Sequence, residues 1–211
     1  MKQKKNTLLF CILTLAIASE AQTGKPTFGF TAGVTFASFM IKSDNVSTSS
    51  GTKVGFSAGL LSSFHLNSHF SFQPALDFIQ KGGELKNGNN SITENAAYYC
   101  LSLPLNFVYN IHSAKGVFFI GAGPSVGIGL FGHYKITGMY EESGDIKFGG
   151  GGDNDLKVFE FGANALAGFS FKKGLLIAAQ YDLGLNNISS VNNASFHNRC
   201  FGLKLGYLFQ K

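Results

Sequence analysis

Residues 116–130, GVFFIGAGPSVGIGL, alternate in character with a period of two, and this period constrains the chain more than any other feature. Phe118, Ile120, Ala122, Pro124, Val126, Ile128 and Leu130 share one parity, while Phe119, Gly121, Gly123, Ser125, Gly127 and Gly129 share the other. Strand side chains point alternately to two faces, whereas helix faces recur every ~3.6 residues. Continued to Lys135, the run is long and apolar enough to cross a bilayer, but its six glycines are poor helix formers. A phosphate-binding loop does not fit either. Gly121, Gly123 and Gly127 miss the G-x-G-x-x-G spacing, no Walker lysine follows, and no helical pattern succeeds them. One bulky face and one small face describe a strand.

Seven more stretches repeat the pattern: 28–36, 54–64, 70–78, 99–109, 159–171, 175–183 and 201–209. Their apolar parity carries no charged residue, whereas the opposite parity carries Asp77, Lys81, Glu160, Asp182 and Lys204 among many glycines. A soluble barrel hides its apolar face and wets the other; a membrane barrel does the reverse. Lysine or arginine on a lipid-facing wall costs about 2–4 kcal/mol at mid-bilayer, which explains the missing charges. Tyr99, Tyr109, Phe171 and Tyr207 near strand ends suit interfacial girdles.

Connections alternate as well. Long polar segments at 41–52, 84–95, 137–156 and 186–197 interleave with short ones at 67–69, 111–115 and 172–174. Lone strands would leave backbone groups unpaired in hydrocarbon, so the sheet must close. The expected fold is an all-β, eight-stranded antiparallel up-and-down transmembrane β-barrel over residues 22–211. Its narrow interior is filled by side chains. Pro74, Pro104 and Pro124 fall inside strands and each removes a ladder donor, so bulges or missing bonds are expected there.

Residues 1–21 read as a cleavable signal peptide: a basic MKQKK, an apolar TLLFCILTLAIA too short for a stable span, and SEA before Gln22. A lipoprotein signal at Cys11 fits worse, because bulky Phe10 precedes it. Removing this segment leaves 14 basic against 11 acidic groups with no Lys/Arg cluster, which gives no footprint for nucleic acid. Two cysteines remain, Cys100 and Cys200, too few for a disulfide scaffold. They are expected on opposite walls about 15 Å or more apart, where a disulfide needs Cα atoms within about 7 Å, and so as free thiols.

Several constellations invite chemistry. Asp145, Asp153 and Asp155 flank GGGGD but lack calcium-hand order. His65, His69, His112, His133 and His197 are scattered, with the first three expected near the periplasmic end and the last two near the outer end. Ser143, Glu141, Glu142 and His133 resemble a hydrolytic set by position only, with no nucleophile motif. Glu160, Asp182 and Lys204 point inward from consecutive strands and are expected to form a salt-bridge cluster filling the lumen, with an ion path as the alternative. No catalytic, cofactor-binding or metal residue is assigned.

FSFQPALDFIQKGGEL, LSLPLNFVYN, FFIGAGPSVGIGL, LLIAAQYDLGLNNI and the terminal FGLKLGYLF resemble the outer-membrane β-barrel proteins of Bacteroidetes, the PorT-like group, across about residues 27–209. The resemblance implies residence in the cell outer membrane, insertion by the barrel-assembly machinery and, through PorT itself, a link to protein secretion. Its usual terminal aromatic is Phe209, followed here by Gln210 and Lys211. The expected function is non-enzymatic: a structural role, or binding of secretion-system or extracellular partners through loops 41–52, 84–95, 137–156 and 186–197. The alternatives are a small porin-like solute channel and an outer-membrane lipid-modifying enzyme.

Overall fold

A computed structural model describes residues 25–43, 46–86, 92–138, 141–150, 154–190 and 195–209. The expected signal peptide, residues 1–21, lies outside them. The described chain forms ten strands: β1 (Thr27–Ser43), β2 (Val46–Ser49), β3 (Gly51–His65), β4 (Phe70–Lys86) and β5 (Ile92–Ser113) come first. They are followed by β6 (Gly116–Gly138), β7 (Glu142–Asp145), β8 (Phe159–Phe171), β9 (Leu175–Gly184) and β10 (Ser195–Phe209). Eight of them, all but β2 and β7, follow one another around a ring, each antiparallel to its neighbours. The ring closes where β10 pairs with β1, from Phe28↔Phe209 to Lys42↔Ser195. The short β2 and β7 are arms on the upper ends of β1 and β6.

Three tight connections lie at the end expected to face the periplasm. In the β3–β4 turn the Asn67 side-chain oxygen accepts from the backbone of His69 and Phe70, both at 2.8 Å. The β8–β9 turn places Gly174 at φ +89°, a backbone that favours glycine, with its N–H donating to Phe171 O at 2.9 Å.

The expected loops are corrected at the opposite end. Within 41–52, β1 continues to Ser43 and β2 adds an arm; within 84–95, β4 runs to Lys86 and β5 starts at Ile92. Within 137–156, β6 reaches Gly138 and β7 pairs back onto it, and within 186–197, β10 already begins at Ser195. Polar composition marks where lipid ends, not where backbone pairing ends. A ladder extended into water still satisfies its N–H and C=O groups.

Facing follows parity through the membrane-spanning part. Phe30 and Leu205 are 48% and 60% exposed while their neighbours Thr31 and Lys204 are 7% exposed, so the bulky wall looks outward. Outward aromatics gather in two bands. Phe56, Phe78, Tyr99 and Phe131 contact one another near the outer edge, and Phe64, Phe72, Phe107, Phe70 and Tyr109 do so near the periplasmic edge. No helix among the described residues is long and apolar enough to cross a membrane.

Two departures have local causes. Pairing between β4 and β5 skips from Pro74↔Leu105 to Asp77↔Ser102, and between β5 and β6 from Pro104↔Ser125 to Phe107↔Ala122. Register is unchanged across both gaps, so the prolines remove ladder bonds without adding residues. Between Tyr99↔Phe131 and Cys100↔Gly129 one extra residue enters β6. Leu130 and Phe131 both face outward there, and parity inverts above them. Gly132 and Tyr134 therefore turn inward and His133 outward.

Replacing Leu205 by Arg, at mid-strand on the lipid wall, is expected to lower folding stability in lipid vesicles by about 2–4 kcal/mol. Urea titration of the reconstituted barrel measures this. An unchanged midpoint would place that wall away from acyl chains.

Candidate functional site: the lumen and its outer vestibule

Inward parity brings polar side chains of all eight walls into one column. Near the periplasmic end Asn110 donates to Ser71 at 2.7 Å and Gln73 to Ser63 at 3.3 Å. A cavity of about 170 Å³ opens there, lined in part by His65 and His112. Above it Lys204 of β10 bonds Asp77 of β4 at 2.7 Å, across the interior rather than to a neighbouring strand. Asp182 accepts from Asn164 at 2.6 Å and from Gln180 at 3.1 Å. Higher still, Lys81 bonds Glu160 at 3.1 Å, and Glu160 also accepts from Asn198 at 3.2 Å and Tyr98 at 3.3 Å.

The expected cluster of Glu160, Asp182 and Lys204 is thereby corrected. All three point inward, but none pairs with another. Their partners are Lys81 and Asp77 on the opposite wall, together with amides. Adjacent inward residues on neighbouring strands offer only one geometry, whereas long lysines span a narrow interior easily. The inward parity of Asp77 and Lys81 already marked them as members.

An apolar layer covers the charges. Ile79, Tyr98, Cys100 and Cys200 from the walls meet Ile146, Leu156 and Ile188 from the outer connections, all buried. Cys100 and Cys200 sit in this layer on β5 and β10, four strands apart around the ring, as free thiols. The outer segments are tied down by backbone bonds: Ile146 N–H to Gly132 O, Gly149 N–H to Leu156 O and Lys157 N–H to Ile188 O. Phe148 lies flat against Gly129, where any Cβ would strike its ring. Gly129 of the opening motif thus makes room for an inserted connection.

Above this layer the extended strands enclose an outer vestibule of about 390 Å³. Its apolar surface comes from Phe39, Leu85, Ile136, Ile146, Leu156 and Phe196. Glu94, Glu142 and Asp155 border it, and among the described residues none of its lining is cationic. Asp155 accepts from the Lys147 N–H at 2.8 Å, and Glu142 from the Tyr134 hydroxyl at 3.3 Å. Partial burial, then the like charge of Asp155, raises the Glu94 carboxyl above the usual range. The Glu142 carboxylate raises the Tyr134 phenol. Of these residues only Glu142 and Asp155 were singled out from sequence, in other constellations, because the facing of the rest depends on the bulge at Leu130–Phe131 and on strands continuing past the lipid.

The other candidates separate. Asp145 pairs with His133 on the outer surface, Asp155 faces the vestibule, and Asp153 lies outside the described residues. Ser143 shares an open surface concavity with His133 and Asp145, but Glu142 turns to Tyr134 instead. His69 stacks on Tyr109 and meets His112 edge-on at the periplasmic end, and His197 lies 3.1 Å from Ser195 at the outer end. Among the described residues no three His, Cys, Asp or Glu side chains converge as a metal site.

Comparison with known proteins places this architecture. The family model described as "Outer membrane protein beta-barrel domain" matches residues 20–190. No curated protein matches the chain. Among solved structures, Ail, the attachment invasion locus protein of Yersinia pestis, is 16% identical, with TM-score 0.45, over 88% of this chain and all of that one. Neisserial surface protein A is 13% identical, with TM-score 0.48, over 88% and 100% of the two chains. The outer membrane protein OprG from Pseudomonas aeruginosa is 11% identical, with TM-score 0.49, over 90% and 99%.

Replacing Lys204 by Met strands the buried Asp77 carboxylate and is expected to cost about 3–5 kcal/mol. Replacing both Lys204 by Met and Asp77 by Leu is expected to recover most of that loss. Urea unfolding of the two variants in vesicles reads the difference; equal losses would show that the pair does not hold the walls together.

Proposed function

The chain belongs to the outer membrane protein beta-barrel domain family, and from that premise we propose that it is a closed, non-catalytic barrel acting by binding at its extracellular face. It resides in the cell outer membrane. One observation carries the reading: the lumen is crossed by the Asp77–Lys204 and Lys81–Glu160 pairs and then covered by Ile146, Leu156 and Ile188, while the outer end opens into a vestibule. Here the inserted outer connections bury apolar side chains over the bore, which opposes conduction. A structure built to present a surface needs them fixed, as their backbone bonds fix them.

The resemblance of FSFQPALDFIQKGGEL and LSLPLNFVYN to PorT-like barrels extends the proposal to a component that meets a secretion apparatus through its outer arms. Porin-like conduction requires both charge pairs to part. Lipid modification requires a buried, oriented nucleophile, whereas His133 and Asp145 are largely exposed and Ser143 makes no hydrogen bond to His133 among the described residues.

In planar bilayers the reconstituted barrel is expected to give no steady conductance above protein-free membrane, and the Gly129→Val variant, which expels Phe148, is expected to give intermittent openings. Steady conductance from the unmodified protein would overturn the closed-barrel reading.

A further inference from the structure

We propose that the outer vestibule is a binding site for a small amphipathic organic cation, with its apolar body among Phe39, Ile136 and Phe196 and its ammonium or guanidinium group at Glu94. This rests on the reading of the extracellular face as the binding surface and names what that face takes.

The cavity has the build of a ligand site rather than of a loop crevice. At about 390 Å³ it falls in the size range of small-molecule pockets, which are mostly apolar with a few placed polar groups. Its floor is firm, because Ile146 and Leu156 belong to the buried layer below and are anchored by backbone bonds to Gly132, Lys147 and Gly149. Phe39 stacks on Tyr98 beneath it and on Phe196 beside it, with ring centroids about 6 Å apart, which offers an aromatic surface to a flat body.

The polar groups have one sign. Glu94, Glu142 and Asp155 reach the cavity from β5, β7 and the segment that follows β7, without a lysine or arginine among its lining residues. Two of the carboxylates already accept bonds, Glu142 from Tyr134 and Asp155 from Lys147. Glu94 pairs with no cation or donor among the described residues. Elsewhere inside the barrel acids are matched: Asp77 and Glu160 by lysines, Asp182 by two amides. Glu94 breaks that rule in a cavity that an external solute can reach. An anion is repelled there, and a neutral solute can offer the carboxylate a hydrogen bond but no counter-charge.

The environment of Glu94 also supplies a control. Its carboxyl is raised by burial and by Asp155, so the ionised form weighs against the fold. Between the ordinary carboxylate range and the raised value the folded state binds more protons than the unfolded one, and stability falls as pH rises through that window. Glu94→Gln removes this effect. It is therefore expected to bind cations less well while being at least as stable as the parent at neutral pH.

The test uses the full barrel in nanodiscs and three probes of nearly equal shape: tryptamine (cation), tryptophol (neutral) and indole-3-acetate (anion). Calorimetric titration is expected to show saturable binding of tryptamine, weaker binding of tryptophol and none of indole-3-acetate. Added salt should weaken only the first. Glu94→Gln is expected to weaken tryptamine about tenfold, a difference of about 1.4 kcal/mol, and to leave tryptophol unchanged. Ala96→Leu, which fills the cavity without touching charge, is expected to abolish both. Heat-modifiable migration on gels reports that each variant is folded. Equal affinity for tryptamine and tryptophol, an unaltered Glu94→Gln titration, or no saturable binding by any probe would overturn the inference. Those results leave the closed-barrel reading standing, since that reading fails on conductance alone.

Discussion

Hydrocarbon offers no partner to a backbone N–H or C=O, and this single constraint organises the molecule. It forces the eight spanning strands into a ring, and it makes the β1–β10 seam, with fifteen paired positions, as extensive as the joints between sequential strands. It also explains why three in-strand prolines are tolerable. Each removes a donor at a place where register is otherwise held on both sides, so the ring loses bonds without losing closure.

Closure with only eight strands leaves a slender interior. Glycines line much of it, and where side chains are long they must answer one another across the lumen. Asp77–Lys204 and Lys81–Glu160 do so, tying β4 to β10 and β8. Such pairs replace hydration that the narrow bore cannot hold in bulk, and removing one partner exposes the other. The outer connections complete the filling with Ile146, Leu156 and Ile188, so the barrel is polar in its middle and apolar in its lid, the opposite order to a water-filled pore.

Alternation carried most of the fold: the facing of Phe28 through Phe36, of Leu175 through Leu183 and of Phe201 through Phe209 is legible residue by residue, because lipid selects one parity and nothing else competes. The partners of Lys204 and Glu160 were not legible. Facing fixes which side chains enter the lumen, but which lysine reaches which carboxylate depends on strand stagger and on side-chain length. The vestibule was hidden for two further reasons. Polar composition in 84–95 and 137–156 suggested loops where the ladder continues, so Glu94 and Glu142 had no assigned face. The extra residue near Leu130 then inverted the parity on which any assignment would rest. The outer-membrane setting was legible from the uncharged apolar faces, and the family match agrees with it.

That extra residue has a consequence for how the chain can vary. Below Leu130 the even positions of β6 belong to lipid; above Phe131 they belong to the vestibule, so the strand reads in two phases joined at one kink. Substitutions on the far side of the kink alter what the mouth meets without disturbing what the bilayer meets. The strand is thus divided into a stem whose facing lipid dictates and a tip whose facing it does not, and the tip can vary while anchorage stays put.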